Sequence, residues 1–163
     1  MKAKRLTTAA LLTAIALTIF MIEAQIPPVV PIPGMKLGLA NIVTVYAMFA
    51  LGPVDTLMIL LCRIVLGSLF AGGSTFLYSL AGGLLCYLSM LVMRKVVGEN
   101  QMWACSAVGS IFHNLGQMGV AVLIARTPQL VFYLPILLVT GIAAGVFTGI
   151  AAQFLMKRIG RWG

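Results

Sequence analysis

Long apolar segments alternate along the chain with short stretches rich in proline, glycine or charged residues. A helix needs roughly 20 mostly apolar residues to cross the hydrocarbon core of a bilayer. The pattern therefore predicts an all-α membrane protein with six transmembrane helices. These helices are expected over Thr7–Ile26, Lys36–Leu51, Val54–Phe70, Thr75–Met93, Gln101–Ala125 and Gln129–Met156.

The connection between the first two helices is the most irregular part of the pattern. The segment Ile26–Asn41 holds four prolines and Gly34. Proline lacks the backbone donor that a continuous helix needs, and irregular backbone at membrane depth has to be covered by protein. We therefore expect an ordered, proline-rich first loop at this place.

Composition agrees with a membrane protein. Hydrophobic residues make up 61% of the 163-residue chain and charged residues only 9%, whereas a soluble domain carries about a quarter charged residues. Lipid must therefore cover most of the surface. Because no polar block separates the apolar segments, residues 1–163 are expected to form a single transmembrane domain.

The net charge of +8 bears on orientation rather than on nucleic acid. Basic residues cluster at segment ends, where they set topology and contact anionic lipids. Eight of the eleven Lys and Arg residues fall on one side of the predicted bundle, and only Lys36 and Arg126 fall on the other. We therefore expect both termini in the cytoplasm, the proline-rich loop outside, and a multi-pass protein of the cell membrane. The eight are Lys2, Lys4, Arg5, Arg94, Lys95, Lys157, Arg158 and Arg161.

Arg63 lies near the middle of the third predicted helix. A charge there costs about 2.5 to 3.5 kcal/mol even on the lenient insertion scale, so Arg63 has to face a protein-lined or watery cavity and needs an anion. Glu23, in the first helix, is the only carboxylate expected inside the membrane. Two interpretations are open. Arg63 and Glu23 form an ion pair that fixes packing, or Arg63 binds an anionic ligand group such as phosphate through its planar fork.

The fifth helix carries three polar side chains close together. His113 and Gln117 are four residues apart and share one face, and Asn114 lies about 100° round the helix. Such groups either join helices through interhelical hydrogen bonds or contact a ligand, and we favour a ligand-binding cluster. One histidine without neighbouring ligands does not predict a metal site.

Four further polar residues are candidate ligand contacts. Lys36 and Asn41 flank the start of the second helix, where free N–H groups favour an anion. Lys36 is equally explained as an interfacial side chain that extends to the membrane surface. Tyr78 is either a stacking surface for a flat ligand or part of the aromatic belt at the membrane interface, and Ser68 is open in the same way.

Small residues mark two helix surfaces. Gly141, Gly145 and Gly149 recur every four residues and form one groove along the sixth helix, which lets another backbone approach closely. The helix in this groove belongs either to the same chain, which we favour, or to another subunit. Ala10 and Ala14 form a weaker pair of the same kind near the expected cytoplasmic end of the first helix.

Sequence patterns of enzymes are missing. The chain has no GxxxxGK[ST] motif for nucleotide hydrolysis. Its only aspartate is Asp55, so no Asp-rich cluster can hold magnesium for diphosphate chemistry. Cys62, Cys86 and Cys105 lie in apolar stretches and fit buried small hydrophobic residues. We therefore expect neither enzymatic activity nor a catalytic cofactor.

Five runs of sequence are distinctive, namely PGMKLGLANIVTVYAMFALGP (33–53), RIVLGSLFAGG (63–73), FLYSLAGG (76–83), HNLGQ (113–117) and YLPILLVTG (133–141). Together they resemble the Gx transporter family, which is often labelled heptaprenyl diphosphate synthase component I. The resemblance covers nearly the whole chain, and KLGLAN followed by HNLGQ is its most specific part.

The resemblance implies a function that the residues alone do not give. The family is similar to the substrate-binding S components of energy-coupling-factor vitamin transporters, which have six helices and a capping first loop. In those, a small-xxx-small motif on the first helix meets the transmembrane coupling subunit that works with ATPases, and Ala10 and Ala14 match its spacing. Members accompany Rnf-type complexes and other extracytosolic electron-transfer systems with covalently bound flavin.

The resemblance thus implies a carrier that moves a flavin, FMN or FAD, across the membrane. Arg63 or Lys36 would hold the phosphate of this ligand. Two alternatives stay open. The protein transports another vitamin or an isoprenoid-related precursor, or it is a non-catalytic membrane scaffold subunit of a larger complex.

Overall fold

The computed structural model describes residues 2–26 and 36–160, and every regular element in this part of the chain is helical. Short 3-10 helices at Glu99–Gln101 and Pro128–Tyr133 precede the last two α-helices. The expected loop prolines, in residues 27–35, lie outside the described residues. The α-helices are α1 (Lys2–Glu23), α2 (Asn41–Ala50), α3 (Pro53–Ala71), α4 (Gly73–Met93), α5 (Met102–Ala125) and α6 (Leu134–Ile159).

All of these helices except α2 are long and apolar enough to cross a membrane. The structure therefore confirms an all-helical protein with the composition of a multi-pass membrane protein and, within the described residues, five long candidate spans. The remaining predicted span, Lys36–Leu51, is different. Helix α2 has ten residues, which gives a length of about 15 Å, half the thickness of the hydrocarbon core.

Helix α2 is the innermost element of the bundle. Nine of its ten residues are buried, and it contacts each of the five long helices. A helix that is apolar all round is expected to be enclosed by protein or lipid, and α2 carries no charged residue. The long helices therefore surround a short central helix.

Hydrogen bonds define one end of the bundle. Arg5 Nη2 donates to Leu51 O at 3.2 Å and to Asp55 Oδ2 at 2.6 Å, which joins the start of α1 to the end of α2 and the start of α3. Tyr87 Oη donates to Pro53 O at 3.2 Å and adds the second half of α4 to this end. Successive helices therefore run in opposite directions from α2 to α4.

Glycine contacts extend the same alternation to α5 and α6. Gly149, in the second half of α6, lies against Trp103 at the start of α5. The start of α1 and the end of α6 thus share one end of the bundle with the α4–α5 connection. This end carries most of the basic residues, and we call it the basic end; in the described chain it includes Lys4, Arg5, Arg94, Lys95, Lys157 and Arg158.

Three helices begin five residues away from their predicted starts, and the other boundaries differ by at most three residues. Helix α1 begins at Lys2, so the basic residues that precede the apolar segment are helical too. Helix α2 begins at Asn41 rather than at Lys36, because Gly38 has a φ of +82° that a helix does not allow. Helix α6 begins at Leu134, behind a 3-10 helix, since a proline stands in its first turn, where it needs no N–H donor.

The orientation of the bundle is tested by labelling from the two sides of the membrane. In a Cys62→Ala background, we expect Gly98→Cys to react with a membrane-impermeant maleimide only from the cytoplasmic side. Gln129→Cys should react only from outside, because basic residues favour the cytoplasm. The reverse pattern would contradict the orientation, and labelling of both from one side would contradict a crossing by α5.

The contact between α5 and α6 is tested at Gly145. A methyl group there would lie 2.9 Å from both Ala107 Cα and Ser106 O, which are backbone atoms. We expect Gly145→Ala to cost about 1 to 3 kcal/mol through overpacking, a drop in Tm of several degrees for a chain of this size. Gly119→Ala, where nothing lies within 4 Å, is the control and should leave Tm unchanged or raise it. Thermal unfolding in detergent measures both, and equal effects would contradict the packing.

Candidate functional site

Several elements bring buried polar side chains together between the end of α1 and the middle of α5. The segment 36–40, the start of α2 and the middle of α3 complete this region. We call these side chains the polar cluster. All are buried except Lys36, which is partly exposed. The polar cluster consists of Glu23, Lys36, Asn41, Arg63, His113 and Gln117.

Glu23 attaches the segment before α2 to the end of α1. Its Oε1 accepts a hydrogen bond from the Gly38 N–H at 2.5 Å, and its Oε2 accepts one from the Leu39 N–H at 3.1 Å. The side chain is only 4% exposed. Both carboxylate oxygens are therefore used on backbone amides, which are bonds of the stronger, charge-assisted kind.

The first three amides of α2 are not free for a ligand. The N–H groups of residues 41–43 bond the carbonyls of residues 38–40 at 2.9 to 3.2 Å. The expectation that free N–H groups at this helix start seat an anion is therefore wrong. The cations Lys36 and Arg63 are therefore the groups here that would bind an anion.

A second chain of hydrogen bonds links the segment to α5. The Lys36 N–H donates to Gln117 Oε1 at 3.3 Å, and Gln117 Nε2 lies 3.0 Å from His113 Nε2. Because an amide nitrogen only donates, this network assigns the imidazole proton to Nδ1. Nδ1 is buried and has no hydrogen-bond partner.

Arg63 is a buried cation without a carboxylate partner. It is 4% exposed, and its Nε has no hydrogen-bond partner. The sequence contains three acidic residues. Glu23 is engaged by backbone amides, Asp55 pairs with Arg5 at 2.6 Å, and Glu99 lies at the basic end. The interpretation of an Arg63–Glu23 ion pair is therefore wrong, since no such pair forms within 4.0 Å.

Lys36 places a second cation in the polar cluster. Its Nζ lies 3.3 Å from the centroid of the Phe20 ring, is buried and has no hydrogen-bond partner. The pKa of Lys36 is lowered, mainly by burial. The Glu23 carboxylate opposes this shift, and the Arg63 guanidinium adds to it. The ammonium group thus points into the protein, which does not fit an interfacial lysine that extends to the membrane surface.

Asn41 and two glycines complete the polar cluster. Asn41 is fully buried, and neither its Oδ1 nor its Nδ2 has a partner. A methyl group on Gly38 would lie 2.8 Å from Asn41 Nδ2 and 3.1 Å from His113 Cδ2, and one on Gly82 would lie 2.9 Å from His113 O. Both glycines let backbone lie directly on the polar side chains. Neither glycine was predicted as a site residue from the sequence.

Two predicted contacts face elsewhere. Asn114 Nδ2 donates to Leu137 O, which joins α5 to α6. Ser68 is partly exposed, and its Oγ donates to Val65 O of its own helix at 2.7 Å. Five residues separate it from Arg63, which places the two about 140° apart around α3. The structure does not bring these two side chains into the polar cluster.

Tyr78 lies beside the polar cluster. It is buried with Met118, Ala121 and Leu137 in an apolar group between α4, α5 and α6. Tyr78 stands one helical turn before Gly82 and so shares its face of α4. A residue of the interfacial aromatic belt would contact lipid headgroups, and the 5% exposure of Tyr78 does not fit that position.

The small residues face two different surroundings. Gly141, Gly145 and Gly149 all pack against α5. Ala10 and Ala14 are exposed on the outer face of α1. The inner face of α1 is formed by buried residues at helical spacing, Thr8, Leu12, Ala16 and Phe20.

The polar cluster is suited to binding an anion with a polar edge. Two cations and one engaged carboxylate give it net positive charge, and the amide of Asn41 offers both a donor and an acceptor. Among the described residues, no group of three or more His, Cys, Asp or Glu side chains could hold a metal ion.

These features define a class, a helical membrane protein with a buried, positively charged polar cluster in its bundle. The chain belongs to the heptaprenyl diphosphate synthase component I family, whose family model matches residues 12–155. That match includes the whole polar cluster. No curated protein and no solved structure is significantly similar to the chain.

The two buried asparagines predict opposite responses to substitution. Asn114→Leu should lower the Tm of the ligand-free protein, because it removes the buried hydrogen bond that joins α5 to Leu137 O of α6, at a cost of about 0.5 to 1.5 kcal/mol. Asn41→Leu should leave Tm unchanged or raise it, since the amide it removes has no partner. Differential scanning fluorimetry in detergent compares the two. A larger loss for Asn41→Leu would contradict the unpartnered state of Asn41.

Proposed function

We propose that this protein is a membrane transporter, or the substrate-binding membrane subunit of one, that binds FMN or FAD in the polar cluster. It moves the flavin across the cytoplasmic membrane for extracytosolic flavoproteins. The observation that carries this proposal is Arg63, a buried cation that forms no salt bridge with a carboxylate among the described residues. Burying a charge without a directly bonded counter-ion is unfavourable, and a ligand phosphate would supply one.

The remaining groups of the polar cluster suit the other parts of such a ligand. A phosphate monoester carries a charge of about −1.5 to −2 at pH 7, and the Lys36 ammonium, which interacts electrostatically with Arg63, gives it a second cation. The polar edge of a flavin ring presents both donors and acceptors, and Asn41 has both unused. The flavin itself is supported by the family resemblance described from the sequence.

The outer face of α1 is the proposed contact with an energy-coupling subunit. Ala10 and Ala14 are exposed there, and small residues let a partner helix approach closely. The partner would be a transmembrane coupling subunit served by ATPases, as the family resemblance implies. The residues lie towards the basic end, the end proposed to be cytoplasmic.

One alternative ligand is favoured by a specific finding. The family to which the chain belongs is described as a component of heptaprenyl diphosphate synthase. The two cations of the polar cluster, Arg63 and Lys36, also suit a diphosphate. The alternative is therefore an isoprenoid-related precursor with a diphosphate group.

The proposal predicts that the purified full-length protein quenches FMN fluorescence on binding. Arg63→Met should weaken FMN binding at least tenfold, because a hydrogen bond to a charged group is worth about 1.5 to 3 kcal/mol. Arg158→Met is the matched control, since Arg158 is exposed at the basic end. Titration of FMN with each variant gives the dissociation constants.

The competing outcomes are separated with a ligand panel. FMN, FAD, riboflavin and an allylic prenyl diphosphate are compared by their effect on Tm. Stabilisation by the prenyl diphosphate alone selects the alternative ligand. If wild-type protein neither quenches FMN nor retains a flavin detectable by mass spectrometry, the flavin proposal fails.

A further inference from the structure

We infer that Glu23 is a positioning residue that holds the segment 36–41 against His113, so that Lys36 and Asn41 are set in place for an anionic ligand. The inference deepens the proposed function and rests on it for the ligand. Its structural half, the fixing of the segment by Glu23, stands on contacts alone.

The contacts of Glu23 are directed at the segment and not at the cations. Both oxygens accept amides of the segment, from Gly38 and Leu39. Gly38 in turn lies against Asn41 Nδ2 and the His113 ring, where a methyl group would be 2.8 and 3.1 Å away. A displacement of Gly38 therefore changes the surroundings of both side chains.

Lys36 and Asn41 stand on either side of this attachment. The backbone of Lys36 is also bonded to Gln117, through a neutral hydrogen bond of 3.3 Å. The bonds that the Glu23 carboxylate accepts are charge-assisted and therefore stronger than this neutral bond. Glu23 makes these bonds and no salt bridge with Arg63, whose Nε has no hydrogen-bond partner.

Coulomb's law separates a positioning role of Glu23 from a purely electrostatic one. Glu23 is a carboxylate close to two cations that would bind an anion, and like charges repel. Removing its charge should tighten the binding of an anion if electrostatics alone mattered. If Glu23 acts by position, removing its charge weakens binding instead.

The experiment compares FMN binding by full-length Glu23→Gln, Glu23→Asp and wild type. Gln keeps the shape of the side chain, but its NH₂ group faces one of the two amide donors. We expect Glu23→Gln to weaken FMN binding at least tenfold, mainly through faster dissociation. Glu23→Asp keeps both acceptors on a shorter arm and should recover part of the affinity. Asp55→Asn removes a carboxylate at the basic end and should bind FMN like wild type.

A second measurement needs no ligand. Hydrogen exchange of a peptide that contains the Gly38 and Leu39 amides should be slow in wild type and in Asp55→Asn. In Glu23→Gln we expect exchange at least tenfold faster, because both amides lose their charged acceptor. Should Glu23→Gln not fold, Glu23→Asp takes its place and should show an intermediate rate.

The outcomes separate the inference from the proposed function. Unchanged exchange in Glu23→Gln overturns the inference, and so does FMN binding as tight as or tighter than that of wild type. If wild type binds no FMN, the proposed function fails, and the exchange rates alone decide whether Glu23 fixes the segment.

Discussion

The bonds from the Glu23 carboxylate to the amides of Gly38 and Leu39 are the contact on which the interior of this bundle depends. Non-helical backbone inside a membrane protein needs protein partners for its polar groups. Here one buried carboxylate serves two adjacent amides of such a segment. Because the segment is fixed there, α2 can begin inside the bundle, at Asn41, rather than at its surface. The same bonds occupy the nearest carboxylate and leave Arg63 without an ion pair.

Much of the fold follows from the hydrophobic pattern, and its failures have local causes. Five long helices are where the apolar segments predict them, because a bilayer requires long apolar runs. Helix α2 is apolar over the predicted length too, so hydropathy could not reveal that Lys36 and its neighbours are not helical. That outcome was decided by the positive φ of Gly38 and by Glu23, a contact between residues far apart in sequence. The 3-10 helix before α6 reflects the position of its proline.

The candidate site could be predicted at positions where a charged or polar side chain is costly to bury in a membrane. Arg63 and the polar group on α5 stand out in an apolar sequence because each needs a partner, and the structure places Arg63, His113 and Gln117 in one region. The partner of Glu23 could not be read in the same way. Opposite charge suggests Arg63 as the partner of Glu23. In the structure, two backbone amides bond both carboxylate oxygens instead, and no ion pair is formed. Asn114 and Gln117, three residues apart, look alike in sequence, yet one joins α6 and the other joins the segment before α2.

Charge balance in the polar cluster bears on the proposed ligand. Arg63 and Lys36 against Glu23 leave the cluster with one excess positive charge when all three are ionised. A neutral ligand would leave that charge buried and uncompensated, which is costly in a low-dielectric interior. A phosphate of about −1.5 to −2 reverses the excess to a deficit of similar or smaller size. The phosphorylated forms therefore fit the cluster better than the unphosphorylated ring. The same balance means that the occupied and empty states of the polar cluster differ in the sign of their net charge.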